Sequence, residues 1–362
     1  MSRQYMIGLP VKKLPTPALV LDIEALERNL ETMGNYLAKA KTNIRPHAKT
    51  HKTPTIAHLQ TKAGAIGQCC QTVGEAEIMA YAGVSNILIA SEVVGEVNIR
   101  RTVNLTRHTK IMTIVDDLTN VRDLSAASRQ YGANLDILVD LDVGQQRCGV
   151  RSLEQLVELA KAVDRAPGLT LRGVFGYEGH LQFIIDREER TKLGKAASSL
   201  LVQGAKAVAG AGLNVEIVSG AGTGTYDIAA EFPEITEIQA GSYIFMDGTY
   251  QKLGLPFVQS LTVLGQVVSR PSPDMVIFDV GMKAISPERF MPSIQGYEES
   301  ISVQKLSEEH ATSQLLEGDL RPGDKVHFVP SHCCTTVNLY DYMYVTRNGI
   351  IEAIWPITAR RA

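Results

Sequence analysis

The chain of 362 residues lacks the features that mark membrane, secreted and nucleic-acid-binding proteins. No uninterrupted apolar run is long enough for a membrane-spanning helix, and Met1–Pro10 has no signal-peptide core. The net charge is only -3, so no global attraction to nucleic acid or to an anionic membrane is expected. With 44% hydrophobic and 21% charged residues, the composition is that of an ordinary globular protein.

Cysteine is scarce, and its arrangement argues against disulfides. The chain has 5 cysteines, which are Cys69, Cys70, Cys148, Cys333 and Cys334. An odd number with two adjacent pairs is a poor disulfide framework, so a reducing, cytoplasmic location is expected. There is also no internal repeat or low-complexity tract, and the length suits one large domain plus a smaller one.

Short β-rich segments alternate with helical segments from about residue 43 to residue 245. Eight strands are predicted, at Asn43–Lys49, Ala65–Cys70, Asn86–Ala90, Lys110–Val115, Leu135–Asp142, Gly173–Tyr177, Glu216–Gly220 and Thr236–Gly241. Helices such as Glu75–Tyr81, Leu153–Val163 and Glu188–Ala209 lie between them, and Gly83, Gly132 and Gly212 follow helices as stop signals. This pattern predicts a (β/α)₈ TIM-type barrel over residues 15–247, with its active site at the C-terminal strand ends. An open doubly wound sheet is the alternative, but no G-x-G-x-x-G motif follows the first strand.

Beyond about residue 250 the pattern changes to strands with little helix between them. The predicted strands are Ser260–Arg270, Met275–Lys283, Lys325–His332 and Tyr342–Ile357, the last interrupted by a turn. Asn348 and Gly349 form the dipeptide typical of a type I′ hairpin turn. Residues 248–362 are therefore predicted to form an antiparallel β-domain, against which residues 1–14 are expected to pack.

The segment Arg45–Lys52 is the most unusual stretch, because five of its eight residues are basic. If Asn43–Lys49 is one strand, alternation places Arg45, His47 and Lys49 on the same face. Lys49 then lies at the end of the first barrel strand, where catalytic groups collect. Neighbouring positive charges would lower its pKa and favour an imine with a carbonyl group. The alternative is a surface lysine in a basic loop.

Two further barrel loops carry candidate side chains. Arg147, in the loop after the fifth predicted strand, offers a fixed charge for a phenolate or carboxylate oxygen. Its alternative role is a structural salt bridge to Asp140 or Asp142. Tyr177, after the sixth strand, is suited to stacking on an aromatic ring, and His180 to proton transfer or to capping a loop.

The loops after the seventh and eighth strands are candidates for a phosphate site. Ser219–Thr225 combines glycines with hydroxyl side chains, so its backbone amides are suited to surround a phosphate. No lysine follows it, which distinguishes it from a Walker A loop. Barrel phosphate sites commonly use these two loops. The candidates are Gly222, Thr223, Gly224, Thr225, Gly241, Ser242 and Tyr243; the alternative is a pair of tight turns.

A histidine and a thiol near the C-terminus are candidate metal ligands. If the strand Lys325–His332 continues, His332 and Cys334 face the same side, because they are two residues apart. Imidazole and thiolate together favour zinc over magnesium, and two protein ligands leave positions open for water or substrate. The alternative is a buried histidine beside buried thiols.

Taken together, these segments resemble the D-threonine aldolase and D-serine dehydratase group of fold type III, the alanine-racemase-like enzymes that use pyridoxal phosphate (PLP). The similarity extends from about Thr16 to Arg360. The segments that carry it, in family order, are Arg45–Lys52, Glu92–Gly95, Asp142–Val150, Gly220–Thr225, Glu237–Asp247 and Pro330–Asp341. The resemblance implies a barrel followed by a β-domain, usually in a homodimer.

The resemblance also implies roles for individual residues. Lys49 matches the lysine that binds PLP covalently, Arg147 matches the arginine facing its phenolic oxygen, and Tyr177 matches the ring-stacking residue. The two loops at Gly222–Thr225 and Gly241–Tyr243 match the phosphate site. His332 and Cys334 match the ligands of a divalent metal, for which zinc is favoured and manganese and magnesium are alternatives.

The expected activity is that of a lyase on a small D-3-hydroxy amino acid, by retro-aldol cleavage to glycine and an aldehyde. Two departures leave a dehydratase of D-serine or D-3-hydroxyaspartate as the alternative. Cys334 stands where the aldolases commonly have Asp, and Glu178-Gly179-His180 stands where they often have His-Gly-Ser. His180 and a metal-bound hydroxide are both candidates for the base. An amino-acid racemase is a further alternative, and a PLP carrier protein is disfavoured by the long β-domain.

Overall fold

The computed structural model describes residues 3–360, which divide into two compact units. The barrel unit comprises Met33–Lys49 and Pro54–Gly241. The antiparallel unit comprises the residues up to Thr32, Thr50–Thr53 and Ser242–Arg360. Among the helices of residues 3–360, none has the length and apolar character that crossing a lipid bilayer demands.

The elements are numbered in chain order. The strands are β1 Ala18–Asp22, β2 Asn43–Ile44, β3 Gln68–Cys70, β4 Ile87–Glu92, β5 Ile111–Val115, β6 Leu135–Asp140, β7 Leu169–Gly176, β8 Ile217–Gly220, β9 Glu237–Ile238, β10 Leu261–Ser272, β11 Met275–Phe278, β12 Ser293–Ile294, β13 Ile301–Leu306, β14 Ala311–Leu315, β15 Lys325–Val329, β16 Tyr342–Arg347 and β17 Ile350–Pro356. The α-helices are α1 Ile23–Ala40, α2 Pro54–Lys62, α3 Val73–Tyr81, α4 Glu96–Leu105, α5 Leu118–Gln130, α6 Leu153–Arg165, α7 Arg187–Gly210, α8 Tyr226–Ala229, α9 Gly248–Gln251 and α10 Cys333–Val337.

The barrel unit is built on an 8-stranded parallel sheet in the order β2-β9-β8-β7-β6-β5-β4-β3. Two backbone hydrogen bonds close the ring between its ends. The amide of Ile66 donates to the carbonyl of Ile44 at 3.0 Å, and that of Cys69 donates to Pro46 at 2.8 Å. The predicted (β/α)₈ barrel is therefore confirmed, and the C-terminal ends of its strands lie on one face.

Local sequence explains why strands and helices alternate here. β5 and β6 are buried along their whole length, as expected of parallel strands covered on both faces. Helices begin at side-chain caps, for example Asp117, whose carboxylate accepts from two amides at the start of α5. The predicted stop glycines Gly83, Gly132 and Gly212 have positive φ angles of 84°, 60° and 79°, which favour glycine over residues with a Cβ.

The antiparallel unit is organised around a second sheet in the order β13-β14-β11-β10-β1-β16-β17, and β15 pairs with β10 and β12. Both Asn348 (φ 50°) and Gly349 (φ 72°) have the left-handed conformation that a type I′ turn requires. The predicted C-terminal antiparallel β-domain is thus confirmed. The hairpin of β13 and β14 was not among the predicted strands.

The N-terminal segment belongs to the antiparallel unit as far as Thr32, whereas the barrel was expected to begin at residue 15. β1 pairs antiparallel with β10 (Ala18 opposite Leu264) and parallel with β16 (Val20 opposite Tyr344), so it is an inner strand of the antiparallel sheet. Its four buried residues suit that position. Ahead of it, the amides of Gly8 and Val11 donate to the carbonyls of Ile351 and Gly349. Residues 1, 2, 361 and 362 of the expected domains lie outside the described residues.

Candidate active site

Lys49 lies in a short 3₁₀ turn, Ala48–Thr50, and not in a strand. The strand expected over Asn43–Lys49 ends at Ile44, and beyond it the pairing is reduced to an isolated bridge from His47 to Cys69 and to single amide bonds from Arg45 to Ile238 and from His47 to Ala240. Pro46 has no amide hydrogen with which to extend the ladder. The amide of Lys49 instead donates to Nδ1 of His47 at 3.4 Å. The prediction that strand alternation presents Lys49 was therefore wrong, although Lys49 does follow the first barrel strand.

Arg45 has a structural role. Its Nε and Nη2 donate to the two carboxylate oxygens of Glu237, both at 2.9 Å, and its Nη1 donates to the carbonyl of Asn86 at 2.6 Å. Both side chains of the ion pair are only 2% exposed. Because Glu237 balances its charge, Arg45 is not the bare positive charge near Lys49 that the basic cluster suggested.

The ring of Tyr177 brings together Lys49 and Arg147. The Lys49 Nζ lies 5.6 Å from the ring centroid, and the Arg147 Cζ lies 5.9 Å from it. The three residues follow β2, β6 and β7, so the C-terminal ends of three parallel strands meet at this point. The amine can bond covalently to a carbonyl group, the guanidinium can pair with a phenolic oxygen, and the aromatic face can stack on a planar ring. These three groups therefore suit a planar cofactor that carries both a carbonyl and a phenolic oxygen.

The loop that carries Arg147 is held by carboxylates. Asp142, one of the two salt-bridge partners considered for Arg147, binds the guanidinium of Arg151 instead. Asp116 accepts from the amide of Gly149 at 3.0 Å. A Cβ on Gly149 would lie 2.5 Å from the amide nitrogen of Asp142, and its φ is 93°, so only glycine suits this position.

A partly buried acidic cluster that the sequence prediction missed lies beside this loop. Burial raises the pKa of Asp140 well above its usual range, with the nearby charges of Glu92 and Asp116 acting in the same direction and Arg147 opposing them. Ligand-type atoms of Glu92, Asp116 and Cys148 lie within 4.8 Å of one another. Glu92 also lines a cavity of about 280 Å³ at the ends of β3 and β4. Only the order of strands around the barrel brings these residues together.

The glycine-rich loop at Gly222–Thr225 is buried, but the amides of Gly222, Gly224 and Thr225 already have partners within the protein; that of Thr225 donates to the carbonyl of Gly222 at 3.2 Å. The amide of Gly222 donates to the hydroxyl of Thr225 at 3.2 Å, and that of Gly224 donates to the side chain of Gln182 at 2.7 Å. Gln182 is fully buried and was not among the predicted site residues. The phosphate-binding role of the loop stays a prediction.

The other predicted phosphate loop divides between the two units. Gly241 is the last residue of the barrel unit, and Ser242 and Tyr243 begin a 3₁₀ turn of the antiparallel unit. There the Ser242 hydroxyl lies 3.8 Å from the Cys334 sulfur. The Tyr243 ring packs 5.6 Å from that of Phe257, measured between centroids.

His180 lies in the 3₁₀ turn Gly179–Leu181 after β7 and is exposed. A Cβ on Gly144 would lie 3.4 Å from its Cε1, so the imidazole stands against the loop that carries Arg147. Partial burial lowers the pKa of His180, which favours the neutral imidazole that a general base requires.

In the antiparallel unit, His332 and Cys334 lie at the start of a helix. The strand expected to end at His332 ends at Val329, and His332 is the residue immediately before α10. The premise of strand alternation was therefore wrong. Nevertheless, ligand atoms of His332, Cys333 and Cys334 lie within 4.8 Å of one another, because the first helical turn is compact.

The surroundings of this pair fit a metal ion. Nδ1 of His332 lies 3.0 Å from the carboxylate of Asp247, so a metal would bind through Nε2. A hydrogen bond with the Cys333 thiol, together with the nearby His332, lowers the pKa of Cys334 well below its usual range and so favours the thiolate. The Cys334 sulfur also lies 3.4 Å from the hydroxyl of Thr50, the residue that follows Lys49 in the chain.

Comparisons with known proteins identify the family to which this architecture belongs. The family model described as alanine racemase, N-terminal domain, matches residues 21–248. This chain belongs to that family. A second model, for a serine dehydratase domain, matches residues 260–346 of this alanine-racemase-like chain. The predicted family resemblance is confirmed, and membership of the family implies PLP as the cofactor.

Similar proteins match nearly the whole of this alanine-racemase-like chain. A D-threonine aldolase of Arthrobacter sp is 38% identical, over 98% of this chain and 94% of its own length. A 3-hydroxy-D-aspartate aldolase of Paracoccus denitrificans strain Pd 1222 is 36% identical, with the same coverage of 98% and 94%. The crystal structure of D-threonine aldolase from Filomicrobium marinum superposes with a TM-score of 0.96 at 37% identity and covers 99% of both chains.

Proposed function

We propose that the protein is a PLP- and divalent-metal-dependent lyase that cleaves D-3-hydroxy amino acids of the D-threonine type into glycine and an aldehyde. The observation that carries the proposal is the meeting of Lys49 and Arg147 at the ring of Tyr177, in a chain that matches curated aldolases along nearly its whole length. The same contacts would serve any PLP enzyme, and the aldolase relatives support this reaction class.

In this proposal the loops that follow the barrel strands hold the cofactor. Lys49 provides the amine that bonds covalently to PLP, Arg147 binds the phenolic oxygen, and Tyr177 stacks on the ring. The Gly222–Thr225 loop, with Gly241, Ser242 and Tyr243, provides the phosphate site. When bound, PLP delocalises the negative charge that develops at the substrate α-carbon.

His332 and Cys334 are proposed to hold the metal, with zinc favoured and manganese and magnesium as alternatives. A divalent ion lowers the pKa of a bound hydroxyl group and orients it. His180 is the proposed base that accepts the proton of the substrate 3-hydroxyl. Asp247 holds the imidazole of His332 in the orientation that binding requires.

A dehydratase acting on D-serine or D-3-hydroxyaspartate is the second candidate. The observation that favours it is Cys334, a thiol where the aldolases of this group commonly have a carboxylate. In that reaction Lys49 removes the α-proton, the 3-hydroxyl departs, and the products are ammonia and a keto acid. An amino-acid racemase is a third candidate, and it requires a second base and no metal.

Product analysis separates these candidates. The purified protein is incubated with PLP, with zinc or manganese, and with D-threonine, D-serine or D-3-hydroxyaspartate. We expect glycine and acetaldehyde from D-threonine. A keto acid without glycine would establish the dehydratase. If His332→Ala and Cys334→Ala interconvert D- and L-isomers as fast as the wild type, the protein is a racemase.

Two broader proposals accompany the reaction. The protein is proposed to form a homodimer, as the family resemblance implies, and light scattering during gel filtration tests this by mass. A reducing, cytoplasmic compartment is proposed because all five cysteines are free thiols.

A further inference from the structure

The hydroxyl of Thr225 is fully engaged within the protein. It accepts hydrogen bonds from Nε2 of Gln182 at 2.9 Å and from the amide of Gly222 at 3.2 Å, and it donates to a carboxylate oxygen of Glu178. A hydroxyl has one proton to donate and two acceptor positions, so these three partners fill it. Thr225, Gln182 and Glu178 are 1%, 0% and 5% exposed, so water does not compete for these bonds.

Gln182 explains why the loop needs its glycines. Its Oε1 accepts from the amide of Gly224 at 2.7 Å. A Cβ at Gly222 would lie 2.5 Å from that oxygen, and a Cβ at Gly224 would lie 2.8 Å from the backbone oxygen of Gln182. Because the two glycines have no Cβ, the segment around Gln182 can pack closely against the loop. The shape of the loop therefore depends on that segment.

We propose that Glu178, Gln182 and the hydroxyl of Thr225 are positioning residues that shape the Gly222–Thr225 loop for the PLP phosphate, and that the Thr225 hydroxyl does not itself contact the phosphate. The inference rests on the proposed PLP-dependent function. Glu178 is the carboxyl acceptor of the network; burial raises the pKa of this carboxyl, and its hydrogen bond from Thr225 opposes that shift. Because Glu178 directly follows Tyr177, one segment of chain positions both the ring-stacking residue and the phosphate loop.

Paired titrations with PLP and with pyridoxal, which lacks the phosphate, test this role. The apoprotein is prepared by removing the cofactor, and both dissociation constants are measured from absorbance changes. Thr225→Val keeps the shape and removes the hydroxyl, whereas Thr225→Ser keeps the hydroxyl and is the matched control. Gln182→Leu removes both side-chain hydrogen bonds.

We expect Thr225→Val and Gln182→Leu to raise the Kd for PLP by about 10-fold, because each leaves buried partners unsatisfied. Thr225→Ser should stay within about 3-fold of the wild type, since its hydroxyl can make the same three bonds. The Kd for pyridoxal should change by less than about 2-fold in all three, because the loss is confined to the phosphate loop.

Three results would overturn the inference. Unchanged PLP affinity in Gln182→Leu, with a loss in Thr225→Val, would mean that the hydroxyl contacts the phosphate directly. Unchanged affinity in both would mean that the network is irrelevant to binding. Equal losses for PLP and pyridoxal would mean that the network supports the whole barrel.

If Thr225→Val unfolds at the assay temperature, Gln182→Glu takes its place, because it keeps the acceptor for Gly224 and loses the Nε2 donor. A wild-type protein that binds neither compound would instead reject the proposed function.

Discussion

Asp247 holds His332 by a hydrogen bond between one carboxylate oxygen and Nδ1 of the imidazole, at 3.0 Å. The same oxygen accepts from the amide of Cys333 at 2.9 Å. The other oxygen caps α9, accepting from the amides of Thr249 and Tyr250. Asp247 is fully buried, so one carboxylate fixes the starts of two short helices and orients a candidate metal ligand.

Asp247→Asn is expected to weaken zinc binding by about 10-fold, because metal-bound histidines depend on the group that holds their other nitrogen. Competition with a chromophoric chelator measures the affinity. Asp117→Asn is the matched control, since Asp117 caps α5 in the barrel unit with the same pair of amide bonds. Equal zinc affinity in the two variants would show that Asp247 acts only as a helix cap.

Borohydride reduction of the PLP-loaded protein is expected to attach the cofactor irreversibly to Lys49. Peptide mass spectrometry locates the attachment. Lys49→Ala should lose the visible absorbance of the bound cofactor, whereas Lys52→Ala, three residues along the same basic segment, should keep it. Attachment to Lys52 or Lys283 in the wild type would reject Lys49 as the cofactor lysine.

Glu237→Gln is expected to lower the free energy of unfolding by about 3 kcal/mol, because it leaves the buried guanidinium of Arg45 without its counter-charge. Urea denaturation measures the change. The control is Glu27→Gln, which breaks the exposed pair with Arg347 and should cost less than about 1 kcal/mol. Similar losses in the two variants would contradict a special role for the buried pair.

His327 should make the antiparallel unit less stable in mild acid. Burial lowers the pKa of His327 below its ordinary value of 6.5, so between these two values the unfolded chain binds more protons than the folded one. The free energy of unfolding should therefore fall as the pH drops below 6.5 and level off once it passes the lowered pKa. His327→Gln should flatten this part of the profile, and an unchanged profile would show that another group is responsible.

The alternation of buried strands and amphipathic helices was enough to predict the barrel, because local periodicity and cap residues specify each βα unit. The strands of the antiparallel unit were predicted less completely. β1 was missed as a member of its sheet because its partners, β10 and β16, lie more than two hundred residues away in the chain. No local pattern encodes such a pairing.

For the candidate site, local sequence was enough to predict which loops carry the candidate residues: Lys49 follows the first barrel strand, Arg147 and Tyr177 lie in later loops, and His332 and Cys334 lie near the C-terminus. Tertiary structure decided which of them meet. In the folded chain Arg45 pairs with Glu237, and Asp247 is hydrogen-bonded to His332. Lys49 and Arg147 both lie near the ring of Tyr177. Hydrogen bonds and ion pairs form between groups that are close in space, and that closeness is set by the strand order around the barrel and by the folding of the antiparallel unit, rather than by spacing along the chain.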